Sequence, residues 1–397
     1  MIIPSPKIAV LCKQDLSRLE PGDKIHTHDK IMAIAGQAPV LLFTPRHHAS
    51  EDMNARMQIV ETSPQRIWST AALILALITH RKEYDWIYSR DPLLMAFAIP
   101  LKIFRKAMAI ELNGIPSIET EIRRNMQRVR VPELTPLICR TMRLLETLTV
   151  RFVNLVLPVT EKMRNTLLTD YGVDEGKVIV IPNSVDTTIF LPLQGQREQM
   201  RQKLGVEKAT AILYLGTFSA RWRGTEQLFR VADQIQRERE DIRFIVVGSG
   251  PLLEEMKRTW MKPDTTIKTV FAGSVDHGSI PMYMSCADIY VYDIAEITNK
   301  LIKKQGLCPT KILEAMACGK PVIAPKETEL ENMLIKSGGG LAASSAEEMK
   351  ILIERLADSP DLAKSMGVKA RRYTESHHDL TRLTQRLIQL MARTGRE

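Results

Sequence analysis

Short apolar runs alternate with longer stretches of helical apolar spacing along most of the chain. Lys7–Cys12, Val40–Phe43, Tyr84–Tyr88, Ala107–Leu112, Leu155–Val159 and Val178–Ile181 read as strands. Their apolar residues are nearly continuous, the mark of strands buried on both faces. Lys24–Ala35 and the long tract before Leu155 read as helices. The pattern then restarts, with Ala211–Leu215, Phe244–Val247, Ile267–Phe271, Ile289–Tyr292 and Pro321–Ala324 as strands. Thr225–Glu238, Leu252–Met261 and Lys311–Ala317 are the helices between them. This alternation predicts an α/β chain of two doubly wound, Rossmann-like domains with parallel sheets facing a cleft. The polar stretch Leu191–Gln202, punctuated by Pro192 and Gly195, reads as the link. It gives domains over 1–190 and 191–375, with a terminal helix over 376–397. In the last tract, Leu380, Leu383, Leu387, Ile388, Leu390 and Met391 fall at helical spacing.

A length of 397 residues suits two cores rather than one. The five cysteines, Cys12, Cys139, Cys286, Cys308 and Cys318, are scattered, with no CxxC pair. That fits a reducing, cytoplasmic setting and argues against a disulfide framework or a zinc site. Met1–Lys7 has no apolar core of a signal peptide. The longest apolar runs, Ala71–Thr79 and Leu93–Ile99, fall short of the ~20 residues a membrane span requires. Net charge is +9, and Ile122–Arg143 carries six arginines against Glu133 alone, interleaved with apolar residues. Such a stretch suits either an anionic membrane surface or a solvated face. With aromatics at 5% of the chain and none in this tract, nucleic acid is not an expected partner.

The candidate chemistry concentrates in Pro309–Ala324, a loop entering a short helix, then a glycine stop and a buried strand. The free N–H groups at such a helix start suit a diphosphate. Glu314 is placed either to accept hydrogen bonds from a ribose diol or merely to complement the helix dipole. Gly248 and Gly250 imitate half a dinucleotide fingerprint, but Leu253 stands where its third glycine belongs, which argues against a dehydrogenase. They read instead as a tight strand-to-helix turn bordering a nucleotide. No aspartate cluster suggests a metal. In the first half, Arg90, Glu111 and Asn113 follow strands, where open parallel sheets bind ligands, and form the acceptor-side candidates. His26 and His28 at the first helix, and Gly22 before it, join them; surface histidines are the plain alternative. His47 and His48 have no metal-ligand company in the sequence.

Four ordered blocks carry a family resemblance: KVIVIPNSVD (Lys177–Asp186), ILYLGTFSARWRG (Ile212–Gly224), FIVVGSGP (Phe244–Pro251) and LEAMACGKPVIA (Leu313–Ala324). Together they resemble the retaining glycosyltransferases of family 4, whose fold is GT-B. The resemblance runs in register from about Val156 onward and is looser before it. It implies transfer of a sugar from a nucleotide-diphosphate donor to a hydroxyl acceptor with retention; the basic tract adds a lipid-linked acceptor, consistent with polysaccharide or glycolipid synthesis. It implies that Glu314 holds the donor ribose and that Pro309, Thr310 and Lys311 shape the diphosphate loop. Gly216 would let the backbone approach the phosphates, with Thr217, Gly248, Gly250, Gly273, Gly306 and Leu307 around the donor. Arg223, aided by Arg221, would neutralise the departing diphosphate, so that no cofactor or metal is called for. The terminal helix would cross back to the first domain. A sugar or lipid-linked acceptor and an anionic membrane surface, reached from the cytoplasmic side, are the partners expected besides the donor. Three positions depart from the family pattern: Gly306 stands where a second Glu is common, Thr217 where an Arg is, and Ser184 where a Gly is. They leave open an epimerase or phosphorylase on the same scaffold, or a non-catalytic descendant.

Overall fold

The computed structural model describes residues 5–16, 22–46, 56–62, 69–126, 135–218, 225–292, 305–306, 308–326 and 329–394. The chain forms two compact units, 1–182 with 301–306 and 380–397, and 183–300 with 307–379.

In the first unit the order is β1 (Ile8–Leu11), α1 (Gly22–Ala35), β2 (Val40–Thr44), β3 (Met57–Glu61), α2 (Ser69–Thr79), β4 (Trp86–Ser89) and α3 (Pro92–Ala98). It continues with β5 (Ala107–Leu112), α4 (Pro116–Met126), α5 (Thr135–Phe152), β6 (Leu155–Pro158) and α6 (Glu161–Tyr171). The second unit holds α7 (Gln194–Leu204), β7 (Thr210–Leu215), α8 (Thr225–Glu238), β8 (Ile242–Val247), α9 (Leu253–Trp260), α10 (Pro263–Lys268) and β9 (Val270–Gly273). Then follow α11 (Ile280–Cys286), β10 (Ile289–Val291), α12 (Thr310–Ala317), β11 (Val322–Pro325), α13 (Glu329–Ser337), β12 (Gly340–Ala343), α14 (Ala346–Ala357) and α15 (Pro360–His377). The last helix, α16 (Leu380–Thr394), belongs to the first unit.

Both sheets are six-stranded, in the orders β3-β2-β1-β4-β5-β6 and β12-β11-β10-β7-β8-β9. Every strand pair is parallel. The two orders are the same topology, doubly wound as expected, with a switch point between β1 and β4 in one unit and between β7 and β10 in the other. In α16, Leu383, Leu387, Ile388 and Met391 bury one face into the first unit's core, alongside Ile31 and Ile34 of α1. Each such side chain contributes about 1.5–3 kcal/mol on leaving water.

Several expected boundaries move. Val178–Ile181 is not a strand: only Val178 bridges to Val156 of β6. Ile267–Phe271 divides between the end of α10 and the start of β9. The polar link is helix α7, because its anchors are ionic rather than apolar. Arg197 and Arg201 each reach Asp288, at 2.5 and 3.0 Å, and Asp288 also accepts from the Ala211 N–H at 2.8 Å. The terminal tract breaks between α15 and α16, where the Val185 N–H donates to the His378 carbonyl. Among the described residues, no helix is long and apolar enough to cross a membrane.

Candidate active site

Beyond the ends of β7 and β8 the second unit's chain is laced to itself. The Gly216 N–H donates to Val247, Phe218 to Ser249, Leu252 to Phe218 and Gly248 to Gly273. A Cβ on Gly248, whose φ is 130°, would lie 1.8 Å from the Gly216 carbonyl oxygen. One on Gly250 would lie 2.5 Å from the Phe218 backbone, and one on Gly216 would lie 2.1 Å from the Tyr214 hydroxyl. The protein's own packing is therefore sufficient reason for glycine at all three positions. Gly273, with φ at 70°, ends β9 in open space. Thr217 follows Gly216 at the same edge of the sheet and is exposed.

Helix α12 starts at this edge, after the switch-point strand β10. Pro309 is its N-cap residue, with φ at −69°, and proline has no side-chain oxygen with which to cap the helix. Thr310 and Lys311 form the first turn and are half-buried. Ile312, Leu313, Ala315 and Met316 pack into the core, and Gly319 stops the helix in the left-handed region. Glu314 is only 3% exposed, among apolar residues from Ile312 to Ala317. His277 Nε2 lies 3.9 Å from its Oε1, and the His277 ring meets Phe190 edge-on at 5.6 Å. The loop into α12 is held by Asn183, whose Nδ2 donates to the Cys308 carbonyl at 2.8 Å. His378 Nδ1 lies 2.9 Å from the Asn183 carbonyl, and burial pushes the imidazole pKa down. The PNSVD block is thus a strap between α12 and the end of α15. Ser184 incurs no left-handed penalty, because Arg105 is the only non-glycine residue with positive φ among those described.

Gly306 belongs to the first unit and has φ at 68°, a conformation that a glutamate there would adopt only with strain. The neighbouring Gln305 receives the Ile115 N–H at 2.7 Å and, at its carbonyl, the Thr160 hydroxyl. Arg221, Arg223 and Leu307 lie outside the described residues, as do His47 and His48.

In the first unit the structure gathers three of the acceptor-side candidates around one buried carboxylate. Glu111, at the end of β5, is 4% exposed. Its carboxylate meets Arg90 Nε at 2.9 Å, Lys30 Nζ at 3.6 Å, the Tyr88 hydroxyl at 2.6 Å and Asn113 Nδ2 at 3.5 Å. Burial alone would raise the Glu111 pKa, but Lys30, then Arg90 and the two hydrogen bonds outweigh it and hold it at about 2. Arg90 also donates to Thr27 at 3.1 Å. His26 and His28 flank Thr27 on α1 and are half-buried, His28 Nδ1 being 3.7 Å from Asp29. Gly22 is the first residue of α1. A cavity of about 100 Å³ opens at the β1–β4 switch point, lined by Cys12, Lys13, Gln14, Thr27, Arg90 and Asp91 among others. Lys30, Tyr88 and Thr27 were not singled out from the sequence. A lysine and a threonine on the Ile31–Ile34 face of α1 were the available signal.

A larger cavity, about 810 Å³, lies at the opposite edge of the second unit's sheet, near Thr210, Asp241 and Pro321. Two of its half-buried cations are engaged by the fold: Lys320 donates to the Ser285 and Ala287 carbonyls, and Arg371 to those of Phe190 and Ala317. We therefore place the site at the edge bearing α12. Among the described residues, no group of three or more His, Cys, Asp and Glu converges as a metal site would require.

Residues 196–373 match the family model for glycosyl transferases group 1, and residues 25–189 the model for glycosyltransferase family 4. The chain is 25% identical over 217 residues to a GDP-mannose-dependent alpha-(1-6)-phosphatidylinositol monomannoside mannosyltransferase of Mycolicibacterium smegmatis, covering 53% of this chain and 55% of that one. It is 27% identical over 201 residues to the alpha-monoglucosyldiacylglycerol synthase of Streptococcus pneumoniae, covering 49% and 43%. The chain thus spans about half the length of the curated relatives it matches. In fold it resembles Anabaena HepE in complex with UDP, with a TM-score of 0.74 at 18% identity, over 98% of this chain and 100% of that one. The sucrose-phosphate synthase of Thermosynechococcus elongatus gives the same TM-score, 0.74, at 18% identity over 98% of each chain.

Proposed function

The chain belongs to the group 1, family 4 glycosyltransferases of GT-B fold, and on that premise we propose that it transfers a sugar, with retention, from a nucleotide-diphosphate sugar to a hydroxyl acceptor. The observation that carries the reading is Glu314: a carboxylate 3% exposed on α12, at the switch-point edge where doubly wound sheets bind nucleotides. Burying a carboxylate among apolar residues costs stability. A polyhydroxyl ligand bound beside it gives that cost a purpose. We assign the diphosphate to the start of α12, whose first N–H groups and dipole favour an anion. Arg221 and Arg223 are assigned to the charge that develops as the diphosphate departs. The acceptor hydroxyl then attacks the face the diphosphate has left, giving its proton to a phosphate oxygen, so that no pair of catalytic carboxylates is required.

The acceptor is assigned to the first unit, at the Arg90–Glu111 network and the cavity beside it. The names of the mycolicibacterial and pneumococcal relatives contain a phosphatidylinositol monomannoside and a monoglucosyldiacylglycerol, which supports a lipid-linked acceptor here. The test is incubation of the purified chain with a panel of nucleotide sugars. Slow release of nucleoside diphosphate from one of them, with the anomeric configuration retained by NMR, is expected. Release that continues undiminished in Glu314→Ala would refute the site, and an inverted product would refute retention.

A further inference from the structure

Helix α5 is turned inside out. Its inward face carries Glu146, Thr149 and Val150, each at most 2% exposed. Glu146 accepts from the Ser117 N–H at 2.7 Å, the Ser117 hydroxyl at 2.5 Å and the Tyr171 hydroxyl at 3.2 Å; Thr149 donates to the Pro92 carbonyl at 2.7 Å. The outward face carries the leucines. Leu137, Leu144 and Leu148 are 61%, 59% and 37% exposed, and Phe152 is 51% exposed. Spaced at seven, four and four residues, these four make one stripe along the helix, about 22 Å long at the usual rise.

The stripe does not end with the helix. Lys102 Nζ donates to the Phe152 carbonyl at 2.6 Å, which brings the 3₁₀ turn Ile99–Phe104 against the end of α5. That turn exposes Ile103 at 77% and Phe104 at 39%. The Arg81 guanidinium lies 5.2 Å from the Phe104 ring centre. The cations along this surface are Arg81, Lys102, Arg105, Arg140, Arg143 and Arg151. Glu146 is the only acidic residue in 92–106 and 135–152, and it is buried.

We propose that the outer face of α5, with the turn at Ile103 and Phe104, is a docking surface for a bilayer bearing anionic lipid headgroups. Monomeric proteins rarely leave a contiguous apolar patch of this kind uncovered. Charge selects the occupant. A second copy would bring two cationic rims together, whereas anionic headgroups complement them, each cation near the surface adding about fivefold to binding. Leucine and phenylalanine flanked by arginine and lysine is the composition of a helix that lies in the headgroup plane. The surface differs from the tract expected from sequence, which centred on 122–143. It takes from that tract only the start of α5 and extends instead to Phe152 and the turn at 99–106. One helix links the surface to the acceptor cavity: Asp91, which lines the cavity, caps the start of α3, and the turn at Ile99–Phe104 follows its other end. Only this last relation rests on the transfer reading.

The experiment is flotation of the full chain with vesicles of phosphatidylcholine alone or mixed with phosphatidylglycerol, at low and high salt. The wild-type chain is expected to float with the mixed vesicles and to be released by salt. Leu144→Glu with Leu148→Glu, and separately Ile103→Glu with Phe104→Glu, should each weaken binding at least about tenfold, since an inserted carboxylate replaces buried apolar area. Either pair carries the test should the other fail to fold, as judged by its melting curve. No flotation of the wild type at low salt, or folded variants that float as well as the wild type, overturns the proposal. So does a wild-type dimer that the same variants dissociate, which would make the face a contact between copies. The thermal response to nucleoside diphosphates separates the two readings: flotation without it sinks the transfer reading alone, and the reverse sinks this one.

Discussion

Tyr88 on β4 donates a 2.6 Å hydrogen bond to the Glu111 carboxylate on β5, inside a cluster that also buries Lys30. Burial and then the Glu111 charge push the Tyr88 pKa well up, so the phenol stays protonated and remains a donor. Burial pushes Lys30 down, against the pull of Glu111. One carboxylate thus faces two basic groups, Lys30 and Arg90, at the β1–β4 switch point.

Glu111→Gln is expected to destabilise the first unit by about 3 kcal/mol, because it leaves two cations facing a neutral amide. The pH dependence follows from the direction of the shift. The folded pKa, about 2, lies below the ordinary 4.5, so the carboxylate stabilises the fold fully above 4.5. That contribution is lost as pH falls through the window toward 2. Urea unfolding between these pH values should show a steeper loss in wild type than in Glu111→Gln; equal slopes would show that Glu111 is not held ionised.

Lys320 gives a second pH window, at the alkaline end. Burial first, then Arg197, lower its pKa from 10.5 to about 8, against the pull of Asp288. The unfolded chain therefore binds more protons than the folded one between those values, and Lys320 makes stability rise with pH across them. Lys320→Met should flatten that rise while losing about 1–3 kcal/mol at neutral pH, since the Ser285 and Ala287 carbonyls lose their donor. Thermal melts at pH 8 and above check both parts.

The glycine turns should separate by packing. Gly248→Ala places a methyl group 1.8 Å from the Gly216 oxygen at a φ of 130°, and a loss of about 3 kcal/mol or more, or failure to fold, is expected. Gly273→Ala also has positive φ but meets nothing within 4 Å, and should cost only about 1–2 kcal/mol. Similar losses at the two positions would mean that the lacing between the β7 and β8 turns is looser than its geometry implies.

What the sequence made legible were the fully buried strands, among them β6 at a sheet edge. IAVL, VLLFT and IRFIVV are apolar almost throughout because neighbours and helices cover both of their faces. The edge strands β3 and β12 escaped, since MQIVE and GLAA are half-covered and carry too little apolar signal. Helix α7 escaped because only Met200 and Arg201 of its eleven residues are buried, and its anchor is the charge of Asp288. The site divides in the same way. Glu314 stood out in a block of known pattern, and Arg90, Glu111 and Asn113 stood out as polar residues after apolar runs. Lys30 and His277 did not, because their partners lie 81 and 37 positions away, and nothing local announces a pairing that only the sheet topology brings about.

Glu314→Gln is the substitution that separates function from stability most cleanly. The amide keeps the shape and removes the charge, so the core around Ile312 and Met316 should be unaffected. A buried carboxylate 3.9 Å from an imidazole is costly to the fold, so the variant should be as stable as wild type or up to about 1 kcal/mol more stable. Hydrogen bonds from a ribose diol to a charged acceptor are worth about 1.5–3 kcal/mol each. Losing their charged partner should weaken nucleoside diphosphate binding by about 10- to 100-fold, read as a reduced thermal shift at fixed ligand concentration. A variant that melts several degrees lower yet binds normally would reverse the assignment, making Glu314 a structural residue of α12 whose partners are all within the protein.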